Sequence, residues 1–317
     1  MTVPPRSKPS LKSGFTLIEM SIVMVIIGLI VGGVLVGQDL IKAAEVRAQI
    51  SQMEKYHTAV HTFQNKYGYL PGDIPAPYAT NFGFVARGLY AGEGDGDGFI
   101  DGVWQDFASS NFSWDEACGE TVTFWVDLSA ASLIDGGFNT ARPNSASGGC
   151  LTPSITLANY YPAAKIGNGN YVYVWSGGIN VVMEDSGGGH PLNQADGTNY
   201  FGIGVPTGFS NGMLVQNPGF SVLQAYNIDK KIDDGYPQTG SVTAMYLNDT
   251  WNTRAAWAAN GAAGAPDTSA TAGSTTTCYD NSATTSGTPG VAGATQHYST
   301  EMNNGNSVNC ALSFRFQ

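Results

Sequence analysis

Charge is scarce in this chain, and positive charge scarcer still. Only 12% of the 317 residues are charged, and 14 basic residues against 25 acidic ones leave a net charge of −11 at pH 7. That balance excludes a broad basic face of the kind that neutralises phosphates, so no nucleic-acid partner is expected. No Gly-Lys phosphate loop and no closely paired thiols occur, which removes the commonest nucleotide-binding and thiol-redox motifs. Only four histidines are present, at 57, 61, 190 and 297. No set of residues reads as catalytic, and the chain is not expected to be an enzyme. Proline is absent from Phe15 to Tyr67, so nothing forbids one long helix there.

What the chain does have is a long apolar run. From Phe15 to Gly37 there are 23 residues with one ionisable group, Glu19. As a helix this spans roughly 35 Å, enough to cross a bilayer. A carboxylate at membrane depth costs on the order of 2.5–3.5 kcal/mol, so Glu19 needs a partner or a function. The preceding residues hold Arg6, Lys8 and Lys12 and no acid, which places the N-terminus in the cytoplasm and the bulk of the chain outside. Without those three cations the remainder has 11 basic and 25 acidic residues, a net charge of −14. Beyond Lys42, residues Val46, Ile50, Met53, Tyr56, Val60, Phe63 and Tyr67 recur at spacings of three and four. This is one face of an amphipathic helix, stopped by Gly68 and Pro71. The whole helix, 15–67, would hold 53 residues and run ~80 Å.

Gly14-Phe15-Thr16-Leu17-Ile18-Glu19 after a short basic leader resembles the cleavage and methylation motif of type IV prepilins and type II secretion pseudopilins. The resemblance is dense over residues 1–40. It implies that prepilin peptidase cuts between Gly14 and Phe15 and methylates the new Phe15 amine. It also implies that Glu19 pairs with the Phe15 amine of a neighbouring subunit during assembly. The implied fold is α+β: a long N-terminal helix packed on an antiparallel β-sheet head with loop-rich insertions. The implied segments are a cleaved leader 1–14, a transmembrane and filament-core helix 15–37, its amphipathic half 38–67 and an exported head 68–317. The implied partners are further copies of the chain in a helical homopolymer, prepilin peptidase, and the inner-membrane assembly platform with its ATPase. The implied location is the bacterial inner membrane as precursor, then an extracellular pilus or a periplasmic pseudopilus. A minor pilin whose head is an adhesin or ligand-binding surface is the alternative. Many relatives carry a proline in the second half of the apolar run. Here Gly28, Gly32, Gly33 and Gly37 stand in that segment, as a flexible section or as close helix-packing positions. A looser likeness to bacterial prepilin-like proteins runs from Leu70-Pro71-Gly72-Asp73 through Glu120, Trp125 and Asp233-Asp234-Gly235 to the terminal Cys-Ala-Leu-Ser-Phe-Arg-Phe.

The head reads as loop-rich, with a helix at 118–134, strands at 171–175, 179–183, 200–205 and 241–246, a helix at 221–232 and a closing strand at 311–316. Gly177-Gly178 reads as a hairpin turn joining the first two strands. Residues 258–295, rich in Ala, Gly, Ser and Thr, read as a flexible excursion. Cys118, Cys150, Cys278 and Cys310 lie in the exported part, which permits disulfides. Three pairings are possible. The nearest-neighbour one, Cys118–Cys150 and Cys278–Cys310, is expected, each bridge contributing ~3–4 kcal/mol through loop closure.

One loop could hold a metal. Glu93, Asp95 and Asp97 fit positions one, three and five of a calcium loop, with Gly98 at six, the Phe99 carbonyl at seven and Asp101 at nine. Trp104 stands at position twelve, so Asp106 or Glu120 would have to supply the missing carboxylate. The ion would be Ca²⁺ in a structural role; the opposing reading is a solvated acidic turn. Asp229, Asp233 and Asp234 read as a capped turn at a helix end, with a share in a metal site as the other reading. His57 and His61, four apart, could ligate a metal from one helix face, but no third ligand is evident and they read as helix-surface histidines. Glu184-Asp185-Ser186-Gly187-Gly188 resembles a serine-protease nucleophile segment, but no histidine lies between His61 and His190 to act as its base, and it reads as a turn.

Overall fold

A computed structural model of the chain describes residues 16–88, 92–102, 117–142, 156–176, 182–184, 191–193, 198–210, 213–250, 253–258, 276–280 and 295–317. The periodic stretch forms α1, Leu17–Tyr67. The chain divides at Ala44/Glu45 into two units. In the first, the helix runs through Gly28, Gly32, Gly33 and Gly37, and a Cβ added at any of these would meet nothing within 4 Å.

In the second unit, α1 buries Val46, Gln49, Met53, Tyr56, Val60 and Phe63, with Gln52 and Ala59 beside them. The spacing of three and four is what one face of a 3.6-residue helix requires. Ile50 and Tyr67 are half-buried at the edge of the stripe. Two glutamines sit in the stripe because each has backbone partners. Gln49 Oε1 accepts from the Ile166 N–H at 3.0 Å, and Gln52 Oε1 accepts from the Lys165 N–H at 2.9 Å. Gln52 Nε2 also donates to the Ala163 carbonyl at 2.9 Å. The helix face therefore carries its own clamp for residues 163–166.

Two shorter helices follow, α2 (Ala76–Asn81), which falls in a stretch read from sequence as loop, and α3 (Gly119–Ala130). Ten of the twelve residues of α3 are buried, polar ones included. It ends earlier than the expected 134, in a turn through Ala131 and Ser132. A further helix is α4, Val222–Ile232, opened by a capping box in which Ser221 and Gln224 serve each other's backbone N–H.

The strands are β1 (Tyr171–Ser176), β2 (Val182–Glu184), β3 (Pro191–Asn193), β4 (Asn199–Ser210), β5 (Met213–Asn217), β6 (Phe220–Ser221) and β7 (Val242–Thr243). They continue with β8 (Met245–Thr250), β9 (Thr253–Trp257), β10 (Tyr279–Asp280), β11 (His297–Tyr298), β12 (Val308–Cys310) and β13 (Leu312–Arg315). The main sheet is antiparallel in the order β1-β4-β13-β7, with β5 also paired to β4. Residues 177–181, the turn and most of the second strand of the expected hairpin between 171–175 and 179–183, lie outside the described residues. Among the described residues β1 pairs with β4, Val174 opposite Phe201, and β2 pairs with β3. β1 is buried on both faces and takes a long partner, with Gly202 opposite Tyr173 leaving room that a Cβ would fill.

The last strand is central, between β4 and β7. Phe314 lies opposite both Phe201 and Val242. The core is aromatic where the second half of α1, α3 and the sheet meet: Tyr56 stands edge-on to Trp125 at 5.1 Å, and Phe201 lies 4.4 Å from Phe316. The disulfide Cys278–Cys310 ties β12 to the segment before β10. Cys118 is also disulfide-bonded; Cys150 lies outside the described residues. Most of 258–295 does as well. A long N-terminal helix with an antiparallel sheet head is the α+β arrangement expected of a pilin.

Candidate functional site

At the N-terminal end, Gly14 and Phe15 lie outside the described residues. Helix α1 begins one residue after Thr16, and Thr16 and Glu19 form a reciprocal cap. The Thr16 N–H donates to Glu19 Oε2 at 2.7 Å, the Thr16 hydroxyl donates to the same oxygen at 2.8 Å, and the Glu19 N–H donates to Thr16 Oγ1 at 3.3 Å. This is a capping box, and Thr-x-x-Glu is its sequence signature. The pattern was readable in Thr16-Leu17-Ile18-Glu19, alongside the cleavage motif it overlaps. Past the cap the surface is apolar: Leu17 is 88% exposed, Leu29 78% and Val25 71%. Among the described residues α1 is the helix long and apolar enough to cross a membrane, and its most apolar window, of mean hydropathy 2.7, buries nothing in the chain.

The acidic loop forms the second site. Helix α3 and the turn after α1 build it together. Gly72 has φ +89°, and a Cβ there would lie 2.6 Å from the Glu120 carbonyl, so the turn lies directly on α3. Its N–H donates to Asp127 Oδ2 at 2.7 Å, and Arg87 pairs with the same buried carboxylate. Asp73 follows. Its Oδ1 accepts from the Gly96 N–H at 2.6 Å and its Oδ2 from the Gly98 N–H at 3.0 Å. Glu120, from the first turn of α3, reaches the same loop. Its Oε1 accepts from the Gly94 N–H at 2.9 Å and its Oε2 from the Asp101 N–H at 3.0 Å. Within the loop, Asp95 accepts from the Asp97 N–H at 3.2 Å and Asp97 from the Phe99 N–H at 2.8 Å.

The grouping differs from that of a calcium loop read along the sequence. Asp95 and Asp97 come together with Asp73, their carboxylate oxygens within 4.8 Å of one another. Glu93, Asp101 and Glu120 are buried, and Glu120 uses both oxygens to hold loop amides. Trp104 and Asp106 lie outside the described residues. Asp73 was missed because it stands more than 20 residues from Asp95 in the chain; the Pro71-Gly72-Asp73 turn after the helix stop was its only signal. Burial and crowding of acid act together here. Burial pushes the Asp73 carboxyl up to about 7, opposed by the Gly98 and Gly96 amides and reinforced by Asp97 and Asp95. Burial also drives Glu120 upward, with Asp73 and Asp101 adding to it. The donor set consists of hard carboxylate oxygens, which suits Ca²⁺ better than a soft metal.

In the other acidic set the carboxylate oxygens of Asp229, Asp233 and Asp234 also lie within 4.8 Å of one another, and all three accept hydrogen bonds from the chain. Asp229 accepts from the Gly235 N–H at 3.0 Å and from the Tyr298 hydroxyl at 2.8 Å. Asp233 accepts from the Ser241 and Val242 amides, and Asp234 from the Tyr236 N–H and the Thr239 hydroxyl. Together they shape the turn that follows α4, as a capped turn should.

The description of the prokaryotic N-terminal methylation motif, the signature of type IV prepilins and pseudopilins, matches residues 9–35. No curated protein and no solved structure matches the chain.

Proposed function

We propose that this chain is a filament subunit, a pilin or pseudopilin, that prepilin peptidase cuts between Gly14 and Phe15 and that polymerises through the first half of α1. One observation carries the reading: the methylation motif at 9–35 overlies the start of a helix whose apolar first half is exposed among the described residues. Burial of that surface, in lipid before assembly and among like helices after it, is the driving force. Assembly then brings Glu19 to the Phe15 amine of a neighbour, which neutralises a carboxylate that is costly in an apolar core. The supporting chemistry is the shortage of any other charge in the segment. In cells with the assembly machinery, Glu19→Ala is expected to be inserted and cleaved but absent from sheared or purified filaments. Gly14→Ala is expected to remain as the longer precursor on a gel. Filaments at normal yield from Glu19→Ala would overturn the reading.

In the head, Asp73, Asp95 and Asp97 would hold a structural Ca²⁺, with Glu120 fixing the loop that presents them. Bound calcium would favour the ionised form of Asp73 and couple the loop to α3. Thermal melting with calcium is expected to give a higher Tm than melting with chelator, and Asp95→Asn to abolish the difference. Equal melting of the unmodified chain in both conditions would remove the ion from the proposal.

A further inference from the structure

Two separate segments bring the carboxylates of the acidic loop together: Asp73 from the turn after α1, and Asp95 and Asp97 from the loop itself. Both segments rest on one buried ion pair. Arg87 and Asp127 have fully buried side chains and meet through Asp127 Oδ2. The same oxygen accepts from the Gly72 N–H at 2.7 Å, one residue before Asp73. Arg87 meets the other segment with its aliphatic stem. A Cβ at Gly94, one residue before Asp95, would lie 2.7 Å from Arg87 Cγ and 2.8 Å from Cδ. It would also lie 2.5 Å from the carbonyl oxygen of Ile74, one residue after Asp73. Gly94 has φ +102°, a conformation that glycine adopts readily, so the loop can lie against both. Arg87 is itself fixed by a donation from Nη1 to the Val85 carbonyl at 3.1 Å.

Stability is a poor explanation for this pair. Burying two charges costs about as much as their attraction returns unless the remaining polar atoms are also satisfied. Arg87 Nε and Asp127 Oδ1 have no hydrogen-bond partner among the described residues. We infer that Arg87 and Asp127 are positioning residues of the acidic loop. The carboxylate sets the turn that carries Asp73, and the stem of the guanidinium sets the backbone that carries Asp95. Neither side chain belongs to the cluster of carboxylates that would touch the ion. The inference rests on the calcium reading of Asp73, Asp95 and Asp97 and adds what fixes their separation. Outer partners of metal ligands change metal affinity by roughly 10–100-fold.

The test is calorimetric titration of calcium into the full chain in detergent micelles, paired with the Tm of each variant in chelator. Arg87→Met/Asp127→Leu leaves no buried charge, keeps the volume and removes the acceptor for the Gly72 N–H. Arg87→Ala/Asp127→Asn keeps that acceptor and withdraws the stem from Gly94. Each is expected to bind calcium at least about tenfold more weakly than the unmodified chain. Arg87→Met/Asp127→Asn keeps both contacts and is expected to bind nearly as tightly as the unmodified chain. In chelator, leucine at 127 is expected to give at least as high a Tm as asparagine, because an apolar pair packs as well as a polar one. A role in core stability alone would put the leucine variant ahead in both measurements. The first two variants break different contacts, so failure of one to fold leaves the other as the test. Calcium affinity in either of them equal to that of the unmodified chain would overturn the inference and leave the calcium reading standing. No calcium heat from the unmodified chain would overturn both.

Discussion

The two halves of α1 are continuous in secondary structure and opposite in what they do with apolar surface. From Leu17 to Ile41 the large apolar side chains are exposed. From Val46 to Phe63 the apolar side chains of one face are buried against the rest of the head, and the other face is polar. The first half has one charged group in its opening turns, which is held by a cap. The second interleaves buried glutamines with buried aromatics, and both glutamines hold backbone elsewhere. The difference shows where each half finds its partner. Helix propensity alone is a weak determinant, and most helical stability in proteins comes from packing of one face. The second half has that packing within its own chain. Among the described residues the first half has none.

Truncating one apolar side chain in each half gives the sharpest contrast. Phe63 is fully buried, with its ring 4.6 Å from Tyr67 and 5.3 Å from Phe84. Phe63→Ala is expected to destabilise the head by about 3–5 kcal/mol. Ile30, in the first half, is 58% exposed, and Ile30→Ala is expected to leave the unfolding of the head unchanged. Denaturant melts in detergent micelles, followed by tryptophan fluorescence, would measure both. A matching loss from Ile30→Ala would show that the first half does have a partner within the chain.

A smaller effect is a pH dependence that belongs to the head alone. Burial pushes Asp73 and Asp229 each up to about 7 from an ordinary 3.8. For Asp229 the Tyr298 hydroxyl and the Gly235 amide oppose that shift, and Asp234 and Asp233 reinforce it. A carboxyl whose folded pKa is raised holds its proton in the folded state after the unfolded chain has released it. Its contribution is fully present below the unfolded value and is lost as pH rises through the folded one. In chelator, the Tm of the head should therefore fall between about pH 4 and pH 7. Asp229→Asn keeps an acceptor for Gly235 and a polar partner for Tyr298, and should make that fall shallower. An unchanged slope would mean that Asp229 already ionises in its ordinary range.

Sequence carried α1, the stripe on its second half, the two longer head helices and the closing strand, because each rests on local periodicity or a local stop signal. It did not carry strand pairing. β1 pairs with β4, and nothing local to β1 names that partner, because the choice depends on burial across the sheet. Asp73 was invisible for a related reason: its place beside Asp95 and Asp97 depends on the turn at Gly72 lying on α3, a contact between distant segments. The glutamines at 49 and 52 break the apolar stripe in sequence, and only their backbone partners show why they are tolerated. Glu19 presents the opposite case. Its neighbourhood supports two local patterns at once, a cleavage motif and a helix cap, and reading the first obscured the second.

The smallest effect concerns that cap. Thr16→Ala removes the hydroxyl that donates to Glu19 Oε2 and accepts from the Glu19 N–H, leaving only the backbone contact from residue 16. Loss of a side-chain cap costs about 0.5–2 kcal/mol of helix stability, and here the cost falls on the first turn alone. Amide exchange in micelles should speed up at residues 17–20 in Thr16→Ala and stay slow in Thr16→Ser, with the Tm of the head unaltered in both. Unchanged protection in Thr16→Ala would mean that the cap does not hold the helix start. The consequence reaches assembly. With Thr16 in place the carboxylate of a free chain is already satisfied, so the proposed pairing with a neighbour's Phe15 amine exchanges one set of bonds for another. Its net gain is the attraction to a buried positive charge less the bonds to Thr16. Removing the hydroxyl lowers that cost while leaving the charge in place. Thr16→Ala should therefore be tolerated in filaments where Glu19→Ala is not, and the two substitutions separate the local role of Glu19 from the one it has between chains.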